Sequence, residues 1–167
     1  TDADAHVGTM SLVPQVADAV DVPVIAAGGI ADGRGVAAAL ILGASAAQVG
    51  TAYLLCPEAN ISNVHRRALL DSTDEGTVIT NLFSGRPARG ITNRLTRELG
   101  PISDAAPDFP LAGPAIAPLR SASESKGSPD FAQMWSGQSA PLAREMSAYE
   151  LTRLLCDQAL NSLRDRA

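Results

Sequence analysis

Two glycine-bearing turns hold the residue types in this sequence best suited to chemistry. In VIAAGGIADGRG (24–35) an apolar run stops at Gly28 and Gly29 and restarts as a helix; in SAAQVGT (45–51) a second run stops at Gly50 and Thr51. A strand that ends in glycine and turns straight into a helix leaves bare backbone N–H groups at its carboxyl edge. The helix N-terminus adds partial positive charge, so an anion such as phosphate is welcome there. Where the two runs are neighbouring strands, both turns point at one phosphate. Thr51 then adds a hydroxyl donor, and Gln48 an amide that reaches the ligand beyond the phosphate. Glycines at strand ends also serve tight turns alone, but two such turns side by side favour a ligand. Glycines at 28, 29, 33 and 35 do not follow GxGxxG, so a mononucleotide fits better than a dinucleotide.

Other reactive residue types are sparse. His6 reads as a loop histidine, and His65, in NVHRRALL, falls on a polar helix face with Arg66 and Arg67, all expected in solvent. Neither histidine has a cysteine or carboxylate at ligand spacing, so no metal site is expected. Cys56, in LLCPEA, directly follows the second glycine turn and reads as a small buried apolar residue rather than a reactive thiol.

The elements that must position the two turns follow from periodicity. Apolar Leu12, Val13, Val16 and Val20 predict a short helix over 11–20 with Pro14 in its first turn. Val22 to Ala27 predicts a strand buried on both faces. Asp32 is placed to cap a helix over 33–42, with Gly43 just past its end, and 45–49 predicts a second short buried strand. Two parallel strands joined by a helix form a βαβ unit, which puts the fold in the α/β class. Downstream, 63–70 reads as helical, 77–83 as extended and 91–99 as helical up to Gly100-Pro101. Prolines and glycines at 101, 107, 110, 113, 114, 118 and 127 argue against any long regular element there. The segment 147–163 predicts a C-terminal helix, with Ser147 as N-cap and Glu150 completing a capping box. Its apolar face is assigned to Leu151, Leu154, Leu155, Ala159, Leu160 and Leu163.

Composition narrows the partners. The 167 residues suit one domain; 46% are apolar and 19% charged, as in ordinary globular chains. A net charge of −5 and only 4% aromatic residues provide no basic stripe with interleaved rings, which excludes nucleic acid as an expected partner. The longest apolar stretch, around Val36 to Leu42, falls far short of the roughly 20 residues needed to span a bilayer. Cys56 and Cys156 make no CxxC motif, and TDADAHVGTM has no signal-peptide pattern, so a reducing cytoplasm is the expected location.

The segment AAGGIADGRGVAAALILGASAAQVGTAYL (26–54) strongly resembles the last two βα units of the FMN-dependent nitronate monooxygenases, once called nitropropane dioxygenases. Flavin-dependent enoyl-acyl-carrier-protein reductases share that block. The segments TNLFSGRPARGITNR (80–94) and WSGQSAPLAREMSA (135–148) resemble the monooxygenase pattern instead, and the likeness extends over essentially the whole chain. It implies a TIM (β/α)8 barrel with FMN at the carboxyl ends of its strands. Residues 1–75 would supply the last βα units, 76–146 a loop-rich segment particular to the family, and 147–167 a helix packed on the barrel. By the same likeness Gly29, Gln48, Val49, Gly50 and Thr51 match the positions that hold the flavin phosphate, Gly28 joins them as a cofactor-binding candidate from its place in the turn, and Trp135, Gly137 and Gln138 belong to a block near the flavin. Arg86 and Arg89 either contact an anion of the substrate or flavin or tie their loop to acidic surface. The implied reaction is oxidation of an alkyl nitronate with O2 to a carbonyl compound and nitrite.

The family's amino-terminal strands, catalytic histidine and EAGGH-type turn belong upstream of residue 1. The chain is therefore expected to be the carboxyl-terminal half of such an enzyme, inactive alone, which pairs with its missing amino-terminal half or self-associates. Two other readings stand beside this one: a flavin-dependent enoyl-acyl-carrier-protein reductase, and a truncated, non-catalytic module that binds FMN or another chain.

Overall fold

The computed structural model describes residues 7–165, so the reading of His6 lies outside the described residues. Packing divides the chain into two compact units, one formed by 7–60 with 142–165 and the other by 61–141.

The first unit is built on the βαβ motif. Helix α1 (Thr9–Ala19) leads to strand β1 (Ile25–Ala27), helix α2 (Gly33–Ile41) and strand β2 (Ala46–Gln48), followed by a 3-10 turn at Thr51–Leu55. The strands pair in parallel, with Ala26 opposite Ala47 and Ala27 opposite Gln48. Helix α6 (Ala148–Arg164) completes the unit by packing along α2. One apolar cluster, Val13, Ala26, Ile30, Ala39 and Ala44, fills the space between the strands and helices. A second, Ala31, Ala52, Cys56, Leu151 and Leu155, joins the segments after both glycine turns to α6.

The caps form where the sequence places them. Asp32 accepts a hydrogen bond from the Gly35 N–H at the start of α2, and Gly43, at φ 98°, follows its end. Ser147 and Glu150 make a reciprocal capping box on α6. A Glu58 carboxylate also accepts from the Ala148 N–H at 3.0 Å, a favourable charge at a helix N-terminus.

Four expectations for this unit need correction. Helix α1 begins two residues earlier than its periodicity suggests, so Pro14 falls in the second turn. Its missing N–H leaves the carbonyl of exposed Met10 without that helical donor. On α1 only Val13 is buried; Leu12, Val16 and Val20 are exposed. Neither strand is buried as expected: alternation turns Ala26 toward the helices while Ile25, 61% exposed, and Ala27 face away, and on β2 Ala46 and Gln48 are exposed on the same side. On α6 the buried stripe is Leu151, Leu155 and Ala159 at i, i+4 spacing, whereas Leu160 lies half a turn off that stripe and is exposed.

The second unit contains helix α3 (Asn63–Leu70), strands β3 (Thr77–Thr80) and β4 (Ala88–Ile91), and helices α4 (Arg94–Leu99) and α5 (Ala112–Glu124). The two strands form an antiparallel hairpin, with Thr77 opposite Ile91 and Thr80 opposite Ala88. Ile91, expected in a helix, thus belongs to a strand. Met134–Ser136 runs along β4: the Ile91 N–H donates to the Met134 carbonyl at 2.8 Å, and the Ser136 N–H to the Arg89 carbonyl at 3.2 Å. The 13-residue α5 overturns the expectation that 101–127 excludes a long element. Pro114 is its third residue, where an N–H has no helical partner anyway, and Pro118 forfeits only the bond to the Pro114 carbonyl.

Candidate functional site: the two glycine turns

The parallel register brings the ends of β1 and β2 side by side, so Gly28-Gly29 and Gly50-Thr51 leave the same edge of the two-stranded sheet. Gln48 is exposed and shares the outward face with Ala27 and Ile25, while Val49 packs its side chain into both apolar clusters. The site therefore meets Val49 through backbone alone.

Each glycine of the first turn has its own physical reason. Gly28 has φ 107°, and a Cβ there would stand 2.9 Å from Thr9 Oγ1, whose hydroxyl donates to the Ala27 carbonyl at 3.3 Å. Gly33 is required by helix packing: a Cβ would lie 2.2 Å from Gln158 Cβ and 2.6 Å from the Ala159 nitrogen. A Cβ at Gly35 would stand 3.3 Å from Ile30 Cγ2. Gly29 is different, since its φ of 72° calls for glycine but a Cβ would meet nothing within 4 Å. At Gly50 the backbone is ordinary, with φ −110°, and open space again surrounds the Cβ position. Nothing within the described chain requires a glycine at 50. A cradle that a side chain would fill, adjoining a second open glycine, fits the approach of a ligand.

The α2 N-terminus itself is already engaged. Asp32 takes the Gly35 N–H at 3.1 Å, and Gln158 Oε1 takes the Gly33 N–H at 3.1 Å. Burial pushes the Asp32 carboxyl up, but hydrogen bonds from Arg34 and Gly35 together with the Arg34 charge outweigh it and hold the carboxyl below its usual range. A carboxylate thus occupies the position where the sequence pattern suggested a bound anion.

The remaining candidates lie in the second unit. Trp135 packs edge-on against Phe83, with ring centroids 5.9 Å apart, in a cluster with Leu82 and Leu95. Gly137 is half-buried and Gln138 exposed. Arg86 lies over the Phe109 ring at 4.3 Å, and Arg89 donates to the Thr77 carbonyl and hydroxyl across the hairpin. Both arginines thus have partners that are not acidic residues. Cys56 is 1% exposed, as a small buried residue should be, and Cys156 is a free exposed thiol.

His65 is not in solvent. It occupies the buried stripe of α3 with Leu69, and its Nε2–H donates to the Trp135 carbonyl at 3.0 Å. Burial pushes its pKa below the usual histidine value, against the opposing effects of that hydrogen bond and of Glu124. Residue type suggested a polar face; the i, i+4 pairing of His65 with Leu69 is the signal that marks the buried one. Arg67 is exposed as expected, and Arg66 is half-buried. Among the described residues no group of three His, Cys, Asp or Glu side chains converges as a metal site requires, and no helix is long and apolar enough to cross a membrane.

Comparison with known proteins places the chain among relatives. The nitronate monooxygenase family model matches residues 1–158. A probable nitronate monooxygenase of Staphylococcus saprophyticus is 42% identical over 153 residues, covering 92% of this chain and 43% of the relative. One from Staphylococcus aureus is 43% identical over 152 residues, again with 43% of the relative covered. Among solved structures, nitroalkane oxidase from Streptomyces ansochromogenes superposes with a TM-score of 0.92 at 40% identity, over 99% of this chain and 47% of the other. FabK from Thermotoga maritima gives 0.76 at 29% identity, over 96% and 51%. The chain spans less than half the length of the curated relatives it matches, and over that span it belongs to the nitronate monooxygenase family.

Proposed function

We propose that this chain is the carboxyl-terminal part of an FMN-dependent nitronate monooxygenase of the cytoplasm, and that β1 and β2 are consecutive strands of its TIM barrel. Gly28 and Gly29 in one turn and Gly50 and Thr51 in the next hold the flavin phosphate, with Gln48 reaching past it. The observation that carries this reading is Gly50, a glycine that neither backbone conformation nor any neighbour explains. Bound flavin would supply the redox chemistry by which an alkyl nitronate and O2 become a carbonyl compound and nitrite. The chain's own part is to fix the phosphate end of the cofactor by backbone donors. The block Trp135, Gly137 and Gln138 is assigned to the flavin's surroundings.

The exposed face of β1 supports the barrel reading. A two-stranded parallel sheet is not stable alone, and parallel strands are normally covered on both faces. Ile25 and Ala27 stand uncovered, and among the described residues both outer edges of the sheet lack a partner strand. Further strands from the remainder of the barrel, or from a second copy, would cover both.

A native mass spectrum of the protein from its own source tests the proposal. A polypeptide about twice this mass carrying FMN is expected, given that the chain covers 43% of its relatives. A flavin-free species of 17.2 kDa would overturn it. By the same reading the isolated 167-residue chain releases no nitrite from propionate-3-nitronate. Turnover by the pure chain would contradict the assignment of catalysis to residues outside it.

A further inference from the structure

Helix α6 touches the elements that follow both glycine turns. On the Gly29 side, Ala31 packs against Leu151 and Leu155, and Gln158 Oε1 accepts the Gly33 N–H at 3.1 Å with the helix backbone pressed into the space a Gly33 side chain would need. On the Gly50 side, fully buried Ala52 enters the same cluster. The Thr152 hydroxyl donates to the Ala148 carbonyl at 2.7 Å, so its oxygen takes the Tyr53 hydroxyl proton, also at 2.7 Å. One rigid helix therefore fixes the spacing between two turns that lie over 20 residues apart in sequence.

We propose that Gln158 and Thr152 are positioning residues for the phosphate site, holding the Gly29 and Gly50 backbones at the separation a phosphate monoester needs. The inference rests on the phosphate assignment made above. Gln158 does more than cap: it ties the first N–H of α2 to a helix more than a hundred residues downstream, so losing its oxygen lets the turn relax without emptying the apolar cluster. Thr152 acts through Tyr53, whose ring packs at the edge of that cluster.

The test uses the flavin-loaded protein from its source and compares dissociation constants for FMN and riboflavin, which differ only by the phosphate. Because both ligands bind only folded protein, their ratio is insensitive to a general loss of stability. Gln158→Met keeps the volume and removes the acceptor. It is expected to weaken FMN about fivefold, the usual worth of one hydrogen bond, and to leave riboflavin unchanged. Thr152→Val should do the same to a smaller degree and serves as the second variant if Gln158→Met does not fold. Gly50→Val separates the two levels of the argument. If Gly50→Val removes the preference for FMN while Gln158→Met and Thr152→Val leave it intact, the brace is wrong and the phosphate site stands. If Gly50→Val leaves the preference intact, or the wild-type protein has none, the phosphate site itself is wrong and the brace falls with it.

Discussion

Each of the two units is held together internally by different means. In the first, contact is made by small residues: Gly33 against Gln158 and Ala159, and Ala26, Ala31, Ala39, Ala44 and Ala52 in the clusters, so that backbones approach closely and little side chain intervenes. In the second, side-chain polar groups reach distant backbone carbonyls. Asn93 donates to the carbonyls of Pro129 and Ala132, Asn81 exchanges bonds with Ser103, and His65 donates to Trp135. Close backbone packing gives the two glycine turns a stiff support. Polar tethers let a proline-rich segment adopt one conformation without a large core.

That contrast can be broken most severely at Gly33. Gly33→Val places a branched side chain where Gln158 and the α6 backbone already stand, and such overpacking costs about 3 kcal/mol or more, read as a fall in the urea midpoint. A near-wild-type midpoint would mean that α6 is free to move away. In the second unit the corresponding test is Asn93→Ala, which removes the α4 cap and leaves the buried Ala132 carbonyl without its Asn93 donor, while the Pro129 carbonyl keeps the Ala132 N–H. The expected loss is about 2 kcal/mol, and an unchanged midpoint would show that the tethers contribute little.

His65 gives the contrast a pH signature. Its folded pKa lies below the unfolded value of about 6.5, so the unfolded chain takes up the proton first as pH falls. Stability from His65 is therefore complete above that value and lost as pH drops through the lower folded pKa. Denaturation midpoints between pH 7.5 and 5 should decline, and His65→Gln should flatten part of that slope. An equal slope in the variant would place the titration elsewhere. The smallest effect is expected at Arg94→Ala: the Arg94–Glu98 pair is exposed on both sides, and its loss should leave the midpoint unchanged within error.

Legibility in the sequence follows the same division. The order of elements and the Asp32 and Ser147 caps could be read because each depends on residues a few positions apart, and the adjacency of the two turns follows once a helix joins two parallel strands. The reading of β1 as doubly buried failed because a composition rich in β-branched residues does not say which faces a two-stranded sheet leaves uncovered. In the second unit the hairpin and the Trp135 contact of His65 depend on partners 8 to 70 residues away, which no local period records, although the His65–Leu69 spacing does mark the buried face of α3. The site was partly legible. The pattern GGIADGRG named the turn but could not tell Gly33, needed for α6, from Gly29, which faces open space.

The phosphate assignment, on which the account turns, is tested most directly by flavin stoichiometry in Gly50→Val of the protein purified from its source. The new side chain meets nothing of the chain within 4 Å, so the account predicts an unchanged unfolding midpoint for the flavin-free protein and no retained FMN. Full retention of FMN by the folded variant would contradict it.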